Sequence, residues 1–192
     1  MEAFLISTGV VALAEIGDKT QLLALVLAAR YRKPLPIILG ILVATLVNHA
    51  LAGAAGAWIS AQVGPQVMRW VLGLSFIAMA VWTLIPDKYD DDDDATAKTT
   101  KFGVFGATLV AFFLLEMGDK TQIATVALAA KFDSLVGVVA GTTLGMMLAN
   151  VPAVLLGEVA AKKLPMHIVH RVAAAIFVVL GVTVLLGYGQ LS

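Results

Sequence analysis

Glu15, Asp18 and Lys19 sit within one short stretch, LAEIGDKTQ, of an otherwise apolar run, and Glu116, Asp119 and Lys120 repeat the arrangement in LLEMGDKTQ. The surrounding chain is 60% hydrophobic and only 14% charged, with a mean hydropathy of +0.93, well away from the roughly 25% charged content of soluble domains. An ionised side chain at a bilayer centre costs about 2.5–3.5 kcal/mol on insertion scales, so six such groups facing lipid alone would cost on the order of 15 kcal/mol. They must therefore face inward, pair with one another, or hold something charged. Four carboxylates and two ammonium groups leave a formal charge of minus two. That balance suits one divalent cation, or two protons once the cation has left.

On a regular helix, at about 100° per residue, Asp18 lies about 60° from Glu15 and Gln21 about 60° further on. Glu15, Asp18 and Gln21 then form one oxygen-bearing stripe, repeated by Glu116, Asp119 and Gln122. Lys19 lies on the other flank of Glu15, at the spacing of an i,i+4 pair, as Lys120 does for Glu116. Thr20 and Thr121 fall on the far side of a regular helix. Gly17 and Gly118 relax that limit, because glycine permits a local break that turns backbone carbonyls toward a buried ion. The motif offers carboxylates, amides, hydroxyls and carbonyls, with no imidazole or thiolate. Oxygen-only coordination favours Mn²⁺, Ca²⁺ or Mg²⁺ over Zn²⁺ or Cu⁺, and does not choose among the first three. The same carboxylates can carry protons, so exchange of a cation for protons is natural chemistry for the cluster.

The elements that must position these groups are apolar stretches near the 20 residues that span a bilayer. Six run approximately over 3–29, 35–61, 67–86, 103–130, 135–161 and 169–189. The expected class is an all-α integral membrane protein with no soluble domain. The first stretch is too long and too charged for a cleavable signal and is expected to stay as a spanning helix. No cysteine is present, which excludes disulfides and thiolate metal sites. A net charge of zero gives no electrostatic case for nucleic acid. Arg30, Arg32, Lys33, Lys88, Lys98, Lys101, Lys162, Lys163 and Arg171 fall in the connections after stretches one, three and five, whereas only Arg69 and Lys131 fall opposite. The basic side is expected to be cytoplasmic, with both termini outside.

A shift of 101 positions aligns the two motifs, and with them Gly40 with Gly141, Gly56 with Gly157 and Phe76 with Phe177. The chain reads as residues 1–86, a polar linker at 87–101, and residues 102–192. Each half holds three crossings, an odd number, so the second must enter the membrane inverted relative to the first. The first and fourth helices, which carry the motifs, are expected to kink at Gly17 and Gly118. Gly137, Gly141 and Gly145, and Ala52 with Gly56, have the small-residue spacing that brings helix backbones close together.

Other polar residues have plainer readings. Asn48 and Asn150 lie deep in apolar runs, with interhelical hydrogen bonding the default and contact with a cation the sharper reading. His49 reads as a satisfied buried histidine with a proton-relay alternative, and His167 and His170 as interface residues. Trp58, Trp70 and Trp82 read as interfacial anchors. The run Asp90 to Asp94 reads as a solvated tether; it lacks the glycine and terminal glutamate of an EF-hand loop. Glu158 reads as a surface residue beside Lys162.

Two copies of E-x-G-D-[KR]-[ST] in two three-helix halves, with an acidic central linker, resemble the Gdt-type manganese and calcium transporter family, and within it the short bacterial manganese exporters. The likeness covers essentially the whole chain, with both copies complete at Glu15, Gly17, Asp18, Lys19, Thr20 and at Glu116, Gly118, Asp119, Lys120, Thr121. The resemblance implies a cation/proton antiporter of the inner cell membrane, with the acidic motif residues as metal ligands. It implies Mn²⁺ as the leading substrate and Ca²⁺ as the second, with no resident cofactor and no catalytic residues. Two other readings compete: an intramembrane aspartyl hydrolase using Asp18 and Asp119, and an exporter of a different small solute. The glutamate and lysine beside each aspartate, Glu15 with Lys19 and Glu116 with Lys120, are surplus to the hydrolase. Oligomeric state is left open.

Overall fold

The computed structural model describes residues 1–85, 103–156 and 166–187, all of whose regular structure is helical. Lys88, Asp90 to Asp94, Lys98, Lys101, Glu158, Lys162 and Lys163 lie outside the described residues. Eight helices are described: α1 (Glu2–Glu15), α2 (Lys19–Tyr31), α3 (Pro34–Gln62), α4 (Pro65–Thr83), α5 (Gly103–Glu116), α6 (Lys120–Lys131), α7 (Leu135–Leu156) and α8 (Met166–Leu185). Four of them, α3, α4, α7 and α8, contain stretches long and apolar enough to cross a membrane. Proline opens α3 and α4 at a position whose N–H has no helical partner.

The first and fourth apolar stretches are each two short helices rather than one long one. At 14 and 13 residues, α1 and α2 extend about 21 and 20 Å at 1.5 Å per residue. Neither alone reaches across a hydrocarbon core of about 30 Å. The interruptions fall where glycine was expected to allow them. Ile16 leaves α1 in an extended conformation, Gly17 takes φ +85°, and Asp18 is the N-cap of α2. The second break repeats the first, with Gly118 at φ +79° and Asp119 as the N-cap of α6. Positive φ is open to glycine at little cost and strained for residues with a Cβ.

The helices pack as a bundle in which α1 lies along α7, α5 along α3, and α4 along α8. Small residues set these contacts. A Cβ on Gly141 would meet the Phe4 carbonyl oxygen at 2.5 Å and the Ser7 Cβ at 3.0 Å. A Cβ on Gly40 would meet the Thr108 Cβ at 2.8 Å and the Phe105 carbonyl oxygen at 3.0 Å. Phe4 and Phe105, like Ser7 and Thr108, stand 101 positions apart, so the two halves make the same close contact with the same register. Gly56 approaches the Val126 carbonyl so closely that a Cβ would sit 2.2 Å from its oxygen. Phe76 and Phe177, again 101 apart, stack on each other with centroids 6.4 Å apart. Around them Met68, Leu72, Met79 and Leu180 form one apolar cluster, while Leu23, Leu27, Ile37, Ile41 and Phe112 form a second. Trp58 and Trp70 are exposed, whereas Trp82 is half-buried against the first cluster.

Gly141→Val is expected to destabilise the bundle by about 1–3 kcal/mol, the usual cost of overpacking. Gly9→Ala, where nothing lies within 4 Å of an added Cβ, is expected to be neutral or slightly stabilising. Thermal unfolding of both variants in detergent checks the contrast.

Candidate cation-binding site

The two breaks position the charged groups. Ending α1 at Glu15 and starting α2 at Lys19 removes the regular helical stripe, and each side chain finds its partner through the turn. The Asp18 N–H donates to the Glu15 carbonyl at 3.0 Å, and the Asp119 N–H to the Glu116 carbonyl at 3.1 Å. The Gly17 N–H donates to Gln21 Oε1 at 2.9 Å, and the Gly118 N–H to Gln122 Oε1 at 2.7 Å. Each glutamine thus binds back across its own break, taking the N–H one residue before the N-cap N–H that a capping-box side chain would take. Its amide reaches onward: Gln21 Nε2 donates to the Ala149 carbonyl at 2.9 Å, and Gln122 Nε2 lies 3.5 Å from Asn48 Oδ1. The glutamine oxygens therefore brace the elbows and do not extend a stripe with Glu15 and Asp18 or with Glu116 and Asp119.

The threonines also move from where a regular helix would put them. Thr20 Oγ1 donates to Glu15 Oε2 at 2.5 Å, and Thr121 Oγ1 donates to Glu116 Oε1. Neither bonds back along its own helix through these contacts. The hydroxyls orient the glutamates instead.

The lysines supply the main correction to the sequence reading. Spacing offered Glu15 with Lys19 and Glu116 with Lys120, both within one helix. Once the helices end at Glu15 and Glu116, that geometry is gone. Lys19 Nζ instead pairs with Asp119 Oδ1 at 3.0 Å, and Lys120 Nζ with Asp18 Oδ1 at 2.5 Å. Each motif's ammonium neutralises the other motif's aspartate. The pair on Asp18 is the more deeply enclosed, with side-chain exposures of 2% and 0% against 24% and 2% for the other. As N-caps of α2 and α6, both aspartates also face the positive ends of helix dipoles.

Glu15, Asp18 and Asp119 each present an oxygen within 4.8 Å of the others, all three buried. Donors this close can share one cation, and carboxylates are the donors that hard divalent ions prefer. Glu116 points toward α3, where its Oε1 lies 3.9 Å from His49 Nε2. Asn48 does make the expected interhelical bond, donating to the Phe113 carbonyl at 3.1 Å. Asn150 does not: its amide donates to Met146 of its own helix, at 3.1 Å to the carbonyl. The one-residue mismatch between the two asparagines explains the difference. Asn48 is 101 positions before Ala149, whose carbonyl takes the matching glutamine, and Asn150 is 101 positions after His49.

Two histidines have places that spacing did not reveal. Both ring nitrogens of His49 are buried without a hydrogen bond, so it is not the satisfied histidine expected. His170 Nε2 lies 3.1 Å from the carbonyl oxygen of Ile16, which ties α8 to the elbow of the first motif. The 101-residue shift was the available signal for His49, since it sets a histidine against Asn150; no pattern pointed to His170.

The fold is that of a multi-pass α-helical membrane protein with a buried, doubled carboxylate–lysine cluster. The family described as divalent cation/proton antiporter GDT1 matches over residues 3–91 and 104–190, and the chain belongs to it. It is accordingly a divalent-cation transporter rather than an enzyme, which removes the hydrolase reading. A protein of Vibrio cholerae serotype O1 named "Putative manganese exporter" is 51% identical over 181 residues, covering 94% of this chain and 88% of that relative. The GDT1-like protein sll0615 of Synechocystis is 28% identical over 92% of this chain and 93% of its own length. GDT1-like protein 5 of Arabidopsis thaliana is 26% identical over 97% and 96%. No solved structure matches the chain.

Removing one partner of a buried ion pair costs about 3–5 kcal/mol, because the other charge is left uncompensated. Lys120→Met is expected to lose about that much stability, and adding Asp18→Asn to recover more than half of it. Denaturant unfolding of the single and double variants in detergent checks this. Coupling of Lys120→Met to Glu116→Gln instead would restore the within-motif pairing.

Proposed function

We propose that the chain exports Mn²⁺ from the cytoplasm in exchange for protons, with Ca²⁺ as a second cargo. The observation that carries this reading is the convergence of Glu15, Asp18 and Asp119 from both motifs on one buried position. Glu15, Asp18, Glu116 and Asp119 serve as the cation's ligands. The reciprocal pairs Lys19–Asp119 and Lys120–Asp18 supply the counter-charge when the cation is absent. An arriving divalent ion competes with two tethered ammonium groups for the aspartates. Protons compete for the same oxygens, so cargo and protons exclude one another by charge. Gly17, Gly118, Thr20, Thr121, Gln21, Gln122 and Asn48 hold the two elbows in register around the ion.

The architecture that goes with this mechanism has six crossings in two inverted halves. α1 with α2, and α5 with α6, each make one interrupted crossing, the form that places half-helix ends at a midplane ion site. Support comes from contacts that recur after 101 positions, at Gly40 and Gly141 and in the crossed lysine pairs. Alternating access then amounts to rocking one half against the other around the shared carboxylates. The basic connections, including Arg30, Arg32 and Lys33, lie on the cytoplasmic side, and the acidic linker with them. The manganese exporter named among the relatives favours Mn²⁺ over a different small solute.

In proteoliposomes, Glu15→Gln, Asp18→Asn and Asp119→Asn are each expected to lower Mn²⁺ flux at least about tenfold while still inserting. A pH-sensitive dye inside the vesicles is expected to report proton movement opposite to Mn²⁺. The apparent affinity for Mn²⁺ is expected to weaken as pH falls, since protonated carboxylates cannot ligate. Full flux in all three variants would contradict the ligand assignment.

A further inference from the structure

We infer that His49 and Glu116 form an imidazole–carboxylate pair that ligates the transported cation and favours Mn²⁺ over Ca²⁺ and Mg²⁺; this rests on the transport reading above. The motif's own donors are all oxygens, which hard cations share without much distinction. His49 lies outside the motif, on α3, and is completely buried. Neither of its ring nitrogens makes a hydrogen bond, and Glu116 Oε2 beside it makes none either. Buried polar groups left without a partner are costly, and a core that has only packing to gain has no use for them.

The separation is informative. At 3.9 Å, His49 Nε2 and Glu116 Oε1 are too far apart for a hydrogen bond. Two donors of one octahedral ion, each about 2.1 Å from it, lie about 3.0 Å apart when adjacent and about 4.2 Å when opposite. At 3.9 Å the pair matches neither value, and a shift of under about 1 Å would bring it to the adjacent one. Glu116 Oε1 accepts from Thr121 through one lone pair, which leaves a second lone pair for an ion.

The chemistry of the pair then sets its preference. Mn²⁺ shares the carboxylate, carbonyl and water preference of Mg²⁺ and Ca²⁺, but as a first-row transition ion it accepts an imidazole nitrogen more readily than either. One nitrogen donor therefore tilts an oxygen site toward Mn²⁺. The donor exists in one half only, because the position 101 residues later holds Asn150, whose amide is turned to Met146. The two halves thus offer a mixed nitrogen–oxygen face and an oxygen face to the same cargo.

Full-length protein in phosphatidylethanolamine/phosphatidylglycerol vesicles provides the test. For His49→Asn, which installs the residue of the other half, the ratio of Mn²⁺ to Ca²⁺ uptake is expected to fall about tenfold, mainly through the KM for Mn²⁺. Electron spin-echo envelope modulation of Mn²⁺ bound to the unmodified chain is expected to show directly coordinated ¹⁴N. That signal is expected to persist in His167→Asn and vanish in His49→Asn. An unchanged uptake ratio, or bound Mn²⁺ without ¹⁴N coupling in the unmodified chain, would overturn the inference, and the second result decides even if His49→Asn fails to fold. Mn²⁺ uptake without ¹⁴N coupling overturns the role of His49 alone. Absence of both Mn²⁺ uptake and Mn²⁺ binding in the unmodified chain overturns the transport reading with it.

Discussion

Two ammonium–carboxylate pairs, each crossing from one interrupted helix to the other, are the constraint around which the bundle is organised. Lys120 and Asp18 are almost wholly enclosed, and Asp119 nearly so. Charges in such a place are tolerable only when matched and hydrogen-bonded. A continuous helix would let each lysine satisfy its own glutamate, and the halves would have no electrostatic reason to meet. Breaking both helices at glycine denies that local solution. Each aspartate must then take its counter-ion from across the interface, and the carboxylates are drawn together as a consequence.

This arrangement is exacting about distance, and the apolar packing supplies the distances. Gly40 and Gly141 let α3 and α7 approach the backbones of α5 and α1, and Gly56 lets α3 approach α6. Such contacts fix how deep the elbows sit relative to the long helices. The glutamines then carry that position to the breaks themselves, since Gln21 holds both the Gly17 amide and the Ala149 carbonyl. His170 adds a tie from α8 to Ile16. Long helices thus hold the short elbows in place, and the elbows hold the buried carboxylates and lysines of a member of the divalent cation/proton antiporter family.

Much of this was legible in the residues. The doubled motif marked the charged groups that converge, and the shift of 101 positions identified which residues would recur in equivalent places. Gly17 and Gly118 signalled the breaks, because glycine beside an N-cap aspartate is poor helix but good elbow. The pairing was not legible. Sequence spacing reports neighbours along one helix, so it proposed Glu15 with Lys19, and nothing in it reports what lies across an interface. Thr20 was assigned to the far side for the same reason: the rotation of 100° per residue holds only where the helix continues. The glutamines looked like ligands because their oxygens fell on the stripe, yet an amide carbonyl beside a free backbone N–H binds that first. Asn150 looked like Asn48 by type and depth, but a single-residue difference in register gave one an interhelical partner and the other a bond within its own helix.

The most direct test of the central claim is a Mn²⁺-bound structure of the full chain with anomalous scattering recorded at the manganese edge. Manganese is expected between the two breaks, within about 2.2 Å of oxygens from Asp18 and Asp119, with the Lys19 and Lys120 ammonium groups drawn away from them. Manganese bound elsewhere, with both crossed ion pairs intact, would contradict the claim that the cation and the lysines compete for the same carboxylates.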